Sequence, residues 1–275
     1  KETILNRFFN NEFGNAGFPA MLCYTRRSPV KRTTYLHLEI VGSFKSMADA
    51  ILLATAFSII KDTYGKNVCV IANNIGEKDS LNAYTRELTS YYKKNLDEVD
   101  AKCRHNFKKD IFKIFECQSP RCLELREEAP KSLSYLGETI REHFKEVIEF
   151  LENMDTTYEI ENMSISNPEY ANKTILEFRN YVKEEDVGNN TGFEVVAHGS
   201  RYDGLSKKMG LKKNIGAIGI AIKFDNVPQK ESYKVKAVEK NKTKVFLIQF
   251  GASAKQKILK MIEVFRVNKI NIAHA

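Results

Sequence analysis

One segment of the chain combines glycines with side chains that can do chemistry. It spans His198–Leu205, reads His-Gly-Ser-Arg-Tyr-Asp-Gly-Leu, and follows a strand-like run ending near Ala197. Glycines on both sides of a polar stretch allow the backbone to approach a ligand closely. Arg201 and Tyr202 are the pair that we expect to line a pocket. Alone, the pattern is also typical of a structural turn, so it specifies no reaction.

The cysteines are a second candidate for chemistry. Their number is odd and they are scattered, which does not indicate a disulfide framework. They are Cys23, Cys69, Cys103, Cys117 and Cys122. A metal set could be built from Cys103, His105, Cys117 and Cys122, but the spacings Cys-x-His and Cys-x4-Cys match no common structural zinc pattern. The sequence therefore predicts free thiols in a reducing compartment and no metal site.

The charge balance indicates a partner. The chain has 275 residues, with 43 Lys and Arg against 35 Asp and Glu, and a formal net charge of +8. Its 43% hydrophobic content excludes a disordered chain, and its apolar runs fall short of the about 20 residues that span a bilayer. Excess positive charge favours an acidic partner, nucleic acid first. The expected RNA-binding residues are Arg26, Arg27, Lys31, Arg32, Lys102, Arg104, Lys108 and Lys109.

Residue patterns predict the elements that position these groups. A strand is predicted at Tyr35–Val41, a buried helix at Met47–Tyr64 and a short buried strand at Val68–Ile71. Later strands are predicted at Thr174–Phe178, Gly192–Ala197, Gly216–Phe224 and Tyr233–Val238. The last residues predict a β-α-β unit with parallel strands. Its parts are Val245–Phe250, Ser253–Val267 and a strand beginning at Ile270–Ile272.

The middle of the chain is predicted to be helical and charged. One helix covers Tyr84–Leu96, and Asp100–Phe115 is rich in Lys and Arg. The clearest helix is predicted to begin with Ser132 as its N-cap, because an apolar stripe at helical spacing follows. The stripe comprises Leu133, Leu136, Ile140, Phe144, Val147 and Leu151. We interpret it as core packing.

The order of several segments resembles histidyl-tRNA synthetase, a class II aminoacyl-tRNA synthetase. Gly199–Leu205 is similar to the family's GGRYDGL histidine-site segment, and Gly216–Ile222 lies where the family has its motif 3 strand. Arg26 to Gly42 resembles motif 2 with its flanking strand. Further similar segments are Asn74–Gly76 with Tyr84 and Leu88, Ala129-Pro130 with His143-Phe144, Ser164–Phe178, and Val245–Ile272.

The resemblance implies an α+β fold: an antiparallel sheet with flanking helices, a helical insertion and a partial α/β C-terminal domain. It divides the chain into a first part of the core at 1–81 and a mainly helical insertion at 82–153. A second part of the core follows at 154–228, then a linker with a truncated anticodon-binding-like domain at 229–275. The family's motif 1 would lie upstream of Lys1 or be missing.

The resemblance also implies a reaction. In adenylation a carboxylate attacks the α-phosphate of ATP, and fixed cations stabilise the charge of the transition state. The family supplies three arginines. Arg26 or Arg27 can match the first, but the second falls on Ser166 and the third on Ile222 or Lys223. We therefore expect a degenerate synthetase with no catalytic residue, no cofactor and a vestigial ligand pocket. The expected pocket residues are Arg201, Tyr202, Glu169, Tyr170 and Lys223.

Other interpretations follow from the same resemblance. A divergent but active histidyl-tRNA synthetase would need ATP and Mg²⁺, with Lys223 replacing the motif 3 arginine. The regulatory subunit of ATP phosphoribosyltransferase would bind histidine without charging tRNA. For the degenerate protein we expect a structural, regulatory or RNA-binding role, with tRNA or ribosomal RNA as partner. Protein partners or a homodimer stay open. The composition and the insertion indicate the mitochondrion and a larger organellar assembly, with the cytoplasm as the alternative.

Overall fold

A seven-stranded sheet forms the centre of the fold. The computed structural model describes residues 1–10, 12, 19–28, 33–65, 67–107, 109–117, 119–162, 170–181, 192–225, 245–248, 250–270 and 272–274. The strands of the large sheet are β1 (Ala20–Arg27), β2 (Thr33–Val41), β3 (Val68–Asn74), β4 (Tyr158–Ile160), β5 (Asn172–Tyr181), β6 (Phe193–Arg201) and β7 (Ala217–Asp225). Their order is β1-β2-β7-β6-β5-β3-β4. Neighbouring strands are antiparallel except the edge pair β3 and β4, which is parallel.

Eight described helices surround this sheet or follow it. They are α1 (Glu2–Phe9), α2 (Ser46–Tyr64), α3 (Lys78–Lys94), α4 (Ala101–Phe107), α5 (Pro120–Glu128), α6 (Glu138–Asn153), α7 (Leu205–Lys208) and α8 (Gly251–Val267). Two 3₁₀ helices lie at Ile111–Glu116 and Ser132–Tyr135. The predicted α+β class is confirmed. Among the helices described, none combines the length and the apolar character needed to cross a bilayer.

The main core lies between the sheet and two helices. Leu52 and Leu53 of α2 and Val147 of α6 pack against apolar side chains of the central strands, such as Phe178 and Ile220. The helix predicted at Met47–Tyr64 is confirmed with one extra residue, and it ends at Gly65, whose φ of 92° is readily adopted only by glycine. Core packing therefore fixes one face of the sheet.

A separate helical unit follows β3. Helices α3, α4 and α5 and the first 3₁₀ helix share their own core, which includes Tyr84, Leu88 and Tyr92. The unit adjoins the sheet through the second 3₁₀ helix, which packs against β3. In contrast, α6 packs on the main core, although the sequence groups it with the insertion at 82–153.

The prediction that a helix begins with Ser132 as its N-cap is wrong. Ser132 lies in the second 3₁₀ helix, and its hydroxyl donates to Oδ1 of Asn73 at 2.9 Å instead of capping a helix. The chain is extended at Leu136, and Gly137 is the N-cap of α6. The apolar stripe stays periodic because Leu133 and the residues of α6 pack against the same core. A continuous pattern therefore concealed two elements.

The β-α-β prediction for the last residues is confirmed. Strands β8 (Val245–Leu247) and β9 (Ile272–His274) pair in parallel, and α8 connects them. The residue patterns do not predict α1 or β1. The strand predicted at Tyr233–Val238 lies outside the described residues.

Candidate functional site

Strand alternation gives the large sheet two chemically different faces. Leu38 and Ile40 of β2 point towards α2 and α6. His37 and Glu39 point to the opposite side, because successive side chains of a strand alternate. Cross-strand partners share a face, so the pairing extends this second side over β1, β7, β6 and β5. We call it the open face; its polar residues include Tyr24, Arg26, Tyr35, His37, Glu39, Glu177, His198 and Lys223.

Arg201 does not belong to the open face. It ends β6 on the helix side and has no exposed surface. Its Nε lies 3.1 and 3.0 Å from the carboxylate oxygens of Asp49 in α2, and its Nη1 donates to Oδ1 of Asp203 at 2.8 Å. The guanidinium also donates to the carbonyls of Ser43 and Lys45, ahead of α2. Arg201 thus connects β6 to the start of α2, and its role in a ligand pocket stays a prediction.

The charges around Arg201 compensate one another. Burial raises the pKa of Asp49, and the Arg201 guanidinium acts against that shift. His143 of α6 lies 3.3 Å from the same carboxylate. A buried ion pair persists only where further hydrogen bonds satisfy both groups. Asp203 meets this condition, because its Oδ1 accepts from the backbone N–H of Ala217 at 2.8 Å. Arg201 and Asp203, which lie between the two glycines, are thus part of the folded core.

Glu39 is a buried open-face residue that no sequence motif singles out. It is 1% exposed and accepts hydrogen bonds from the hydroxyls of Tyr202 at 2.7 Å and Tyr24 at 3.3 Å. The Nζ of Lys1 lies 3.7 Å from its carboxylate and 4.0 Å from the Tyr202 ring centroid. A Cβ at Gly219 would overlap the Glu39 carboxylate, so this glycine makes the space.

We call this group the Glu39 recess: Glu39, Tyr24, Tyr202, Tyr170 and Gly219. Tyr170 packs in the cluster around Tyr202, and its ring centroid lies 5.7 Å from the Nζ of Lys1. The structure thus brings together two of the predicted pocket residues, Tyr170 and Tyr202, while Glu169 lies outside the described residues. The recess is a carboxylate with aromatic walls, an arrangement that favours a cation. The sequence signal for it was a glutamate inside an apolar strand.

His37 stands beside the recess as a neutral ring. Its imidazole stacks on Tyr24 with centroids 4.8 Å apart and planes 3° from parallel. Burial, followed by the positive charges of Lys1 and Arg26, lowers the pKa of His37 to about 4. At pH 7 this side chain can donate and accept hydrogen bonds but carries no charge.

Lys223 lies far from the recess. It is separated from Ala217, which contacts Tyr202, by about six residues of β7, or roughly 20 Å. Its Nζ lies 2.8 Å from Oε1 of Glu194 and 2.6 Å from Oδ2 of Asp225. Hydrogen bonds to Asp225 and Glu194 raise the pKa of Lys223. Among the predicted pocket residues that the structure describes, Lys223 thus lies apart from Tyr170 and Tyr202.

The same region distinguishes the two residues matched to the motif 3 arginine. Ile222 is fully buried on the helix side of the sheet, so only Lys223 faces the open side. Arg179, on β5, is also paired: its Nε lies 2.6 Å from Oε1 of Glu177 and its Nη2 2.6 Å from Oε2 of Glu161. These two cations of the sheet are each held by two carboxylates.

The predicted RNA-binding residues that the structure describes lie in two places. Arg26 and Arg27 end β1, are exposed, and form no ion pair within the described ranges. Arg104 and Lys109 are exposed on the helical unit. Lys102 lies in α4, its side chain is not described, and Lys31, Arg32 and Lys108 lie outside the described residues. Since β1 is five strands from β3, about 24 Å, Arg26 and Arg27 lie well apart from the strand that precedes the helical unit with Arg104 and Lys109.

Three thiols that the sequence treats as independent converge. The sulfur atoms of Cys103, Cys117 and Cys122 lie within 4.8 Å of one another. His105, which the sequence grouped with them, is exposed two positions after Cys103 and is not part of this cluster. Sequence spacing could not reveal the cluster, because its members come from different elements.

The chain is similar in sequence to curated histidine–tRNA ligases. The ligase of Thermosipho melanesiensis is 25% identical over 280 residues, which cover 98% of this chain and 64% of that ligase. The ligase of Bacillus subtilis is 28% identical over 193 residues, covering 69% of this chain and 43% of that ligase. The chain thus spans less than two thirds of the length of these relatives. No model of a protein family matches it.

Two solved structures are similar in fold. Apo histidyl-tRNA synthetase of S. aureus superposes with a TM-score of 0.59 at 17% identity, over 99% of this chain and 66% of that one. A Bacillus halodurans C protein, described as an ATP phosphoribosyltransferase regulatory subunit/histidyl-tRNA synthetase, gives a TM-score of 0.52 at 16% identity, over 99% and 72%. These likenesses confirm the sheet with flanking helices that the sequence predicted.

Proposed function

We propose that this chain, a histidyl-tRNA synthetase-like member of the class II synthetase family, binds RNA and does not form histidyl-adenylate. Its role would be structural or regulatory, within a larger assembly. The relatives are named for joining histidine to tRNA, and RNA is the part of that activity which the basic charge of this chain favours.

The observation that carries the loss of adenylation is the pairing of Lys223. A triphosphate in the transition state needs cations aimed at its developing charge. Lys223 is the remaining candidate at the motif 3 position, and Glu194 and Asp225 already hold its ammonium at 2.8 and 2.6 Å. Two carboxylates beside one ammonium repel phosphate oxygens. Lysine also lacks the planar fork with which arginine binds a phosphate by two hydrogen bonds.

Pyrophosphate exchange tests this proposal directly. The chain is incubated with histidine, ATP, Mg²⁺ and labelled pyrophosphate, and the Bacillus subtilis ligase serves as the positive control. We expect no label in ATP above the blank without histidine. Exchange that requires histidine and disappears in Lys223→Ala would overturn the proposal and support an active synthetase using ATP and Mg²⁺.

RNA binding is tested separately. Fluorescence anisotropy with labelled tRNA and with ribosomal RNA fragments should show affinity that falls steeply with salt, because bound phosphates release counterions. Binding that does not change between low and high salt would contradict a role for the basic clusters. No binding to either RNA would leave the structural role to a protein partner or a homodimer.

A second candidate function is binding of histidine as an effector. The Glu39 recess favours it, because a buried carboxylate there already lies 3.7 Å from an ammonium group. One fold neighbour carries the description of an ATP phosphoribosyltransferase regulatory subunit. Calorimetry with histidine tests this function: affinity lost in Glu39→Gln, without affinity for RNA, would favour it over the first proposal.

We propose the mitochondrion, with the cytoplasm as the alternative, and a protein that works without ATP or Mg²⁺. Imaging of the tagged natural protein tests the first, and the exchange assay tests the second.

A further inference from the structure

The helical unit brings three thiols to one point. Cys103 lies in α4, Cys117 directly follows the first 3₁₀ helix, and Cys122 lies in the first turn of α5. Their sulfur atoms are within 4.8 Å of one another. Cys103 and Cys122 are buried, whereas Cys117 is partly exposed, and none of the three is in a disulfide. A polar cluster thus stands inside an otherwise apolar core.

The separation fits a shared metal ion better than a disulfide. Zinc binds thiolates at about 2.3 Å, which places tetrahedral sulfur ligands roughly 3.8 Å apart. The observed upper limit of 4.8 Å needs to shrink by about 1 Å, which small side-chain rotations can supply. A disulfide would require two of the sulfurs to approach to about 2.05 Å and would leave the third unused.

The surroundings favour the thiolate form. Cys117 and Cys122 lie at the N-terminus of α5, where the helix dipole stabilises negative charge. The thiolate is the form of cysteine that binds a metal, so a sulfur at this helix start is a suitable ligand.

An unsatisfied arginine lies beside the cluster. The Nη2 of Arg126 donates to the carbonyls of Cys117 and Ile114. Its Nε is buried and has no hydrogen-bond partner in the part of the chain that the structure describes. Arg126 is partly buried, and its bonds to these carbonyls place a positive charge next to the backbone at Cys117. A neighbouring arginine favours the thiolate form of a cysteine.

We propose that Cys103, Cys117 and Cys122 bind one Zn²⁺ ion, with water as the fourth ligand on the partly exposed side of Cys117. Binding replaces three thiol protons with one Zn²⁺, so three protons leave and the site carries a net charge of −1 opposite Arg126. The ion connects α4, α5 and the end of the first 3₁₀ helix. A metal cross-link of this kind stabilises a small folded unit. This site replaces the sequence prediction of no metal, and it does not depend on the proposed function.

Metal analysis of the full chain tests the site. The protein is purified under anaerobic, reducing conditions and titrated with Zn²⁺ and, separately, with Co²⁺. We expect about one zinc per chain, and with Co²⁺ a near-ultraviolet charge-transfer absorption of the strength that three thiolates give. Cys103→Ser, Cys117→Ser and Cys122→Ser should each weaken zinc binding at least tenfold. Cys23→Ser is the matched control, because Cys23 is an exposed free thiol outside the cluster.

Three results would overturn the proposal. They are no binding of either metal by the parent protein, an equal loss of zinc in Cys23→Ser, and a disulfide between two cluster cysteines in protein alkylated on cell lysis. If the serine variants do not fold, the cobalt spectrum of the parent protein still decides. Absorption of the strength given by one thiolate, or none, would contradict a three-sulfur site.

Discussion

Two sets of arginines in this chain have opposite environments. Arg201 has no exposed surface and is bound by Asp49 and Asp203. Arg26 and Arg27 are exposed at the end of β1 and form no ion pair within the described residues. The buried arginine belongs to the segment with the stronger motif resemblance, and the exposed pair does not contribute to a closed site. Resemblance at Arg201 therefore reports retention of the fold, whereas charge available to a partner lies on the surface.

Removing the buried arginine tests this comparison with the largest expected effect. Arg201→Ala leaves the buried carboxylate of Asp49 without its arginine partner, while Asp203 keeps Lys173 at 3.0 Å, so we expect the free energy of unfolding to fall by about 3–5 kcal/mol. Urea denaturation measures it, and Arg27→Ala is the exposed control. A loss below about 1 kcal/mol in Arg201→Ala would mean that the network does not support the fold.

The space beside Glu39 provides the next test. In Gly219→Ala the added Cβ would overlap the Glu39 carboxylate, and overpacking of this kind costs about 1–3 kcal/mol. Gly137→Ala is the control, because a Cβ there meets no atom within 4 Å. Thermal unfolding of both variants separates the two expectations. Equal stability of the pair would show that Glu39 can move away, so that the recess is not rigid.

The sequence predicted local structure well and tertiary contacts poorly. The helix before Gly65, the strand after it and the final β-α-β unit were predictable, because hydrophobic periodicity and a helix stop are local properties. The break at Gly137 was not, since two elements facing one core preserve a single apolar stripe. The pattern reports which side chains are buried, but not where the backbone changes direction.

The candidate sites show the same division. Tyr170 and Tyr202 were predicted together through the family resemblance, and the structure places them together. Glu39 was missed, because its partners Tyr24 and Tyr202 come from other strands. The three thiols were judged by spacing along the chain, although helix packing sets their distances. Residue type indicates what a side chain can do chemically. Contacts between separate elements determine which side chains lie in the same site.

A pH titration of His37 tests a smaller effect of the charges on the exposed arginines. The folded pKa of His37 is about 4, below its ordinary 6.5, so the unfolded chain binds the extra proton first. This contribution to stability is present above about pH 6.5 and is lost as the pH falls towards 4. NMR titration of the imidazole measures the pKa, and Arg26→Ala should raise it, since the Arg26 charge helps to lower it. A pKa near 6.5 in the parent protein would contradict the burial of this ring.

The exposed arginines should have the smallest effect on stability and a specific effect on binding. Arg26→Ala and Arg27→Ala should change the free energy of unfolding by no more than about 0.5 kcal/mol, because neither side chain is paired within the described chain. Each phosphate contact removed should reduce the salt slope of RNA affinity by about 1. Arg86→Ala is the control, an exposed arginine paired with Glu87 on the helical unit. If all three variants reduce the slope equally, RNA binds by diffuse charge and the end of β1 has no special role. If only Arg26→Ala and Arg27→Ala reduce the slope, the arginines at the end of β1 bind RNA phosphates, a role that the fully buried Arg201 cannot have.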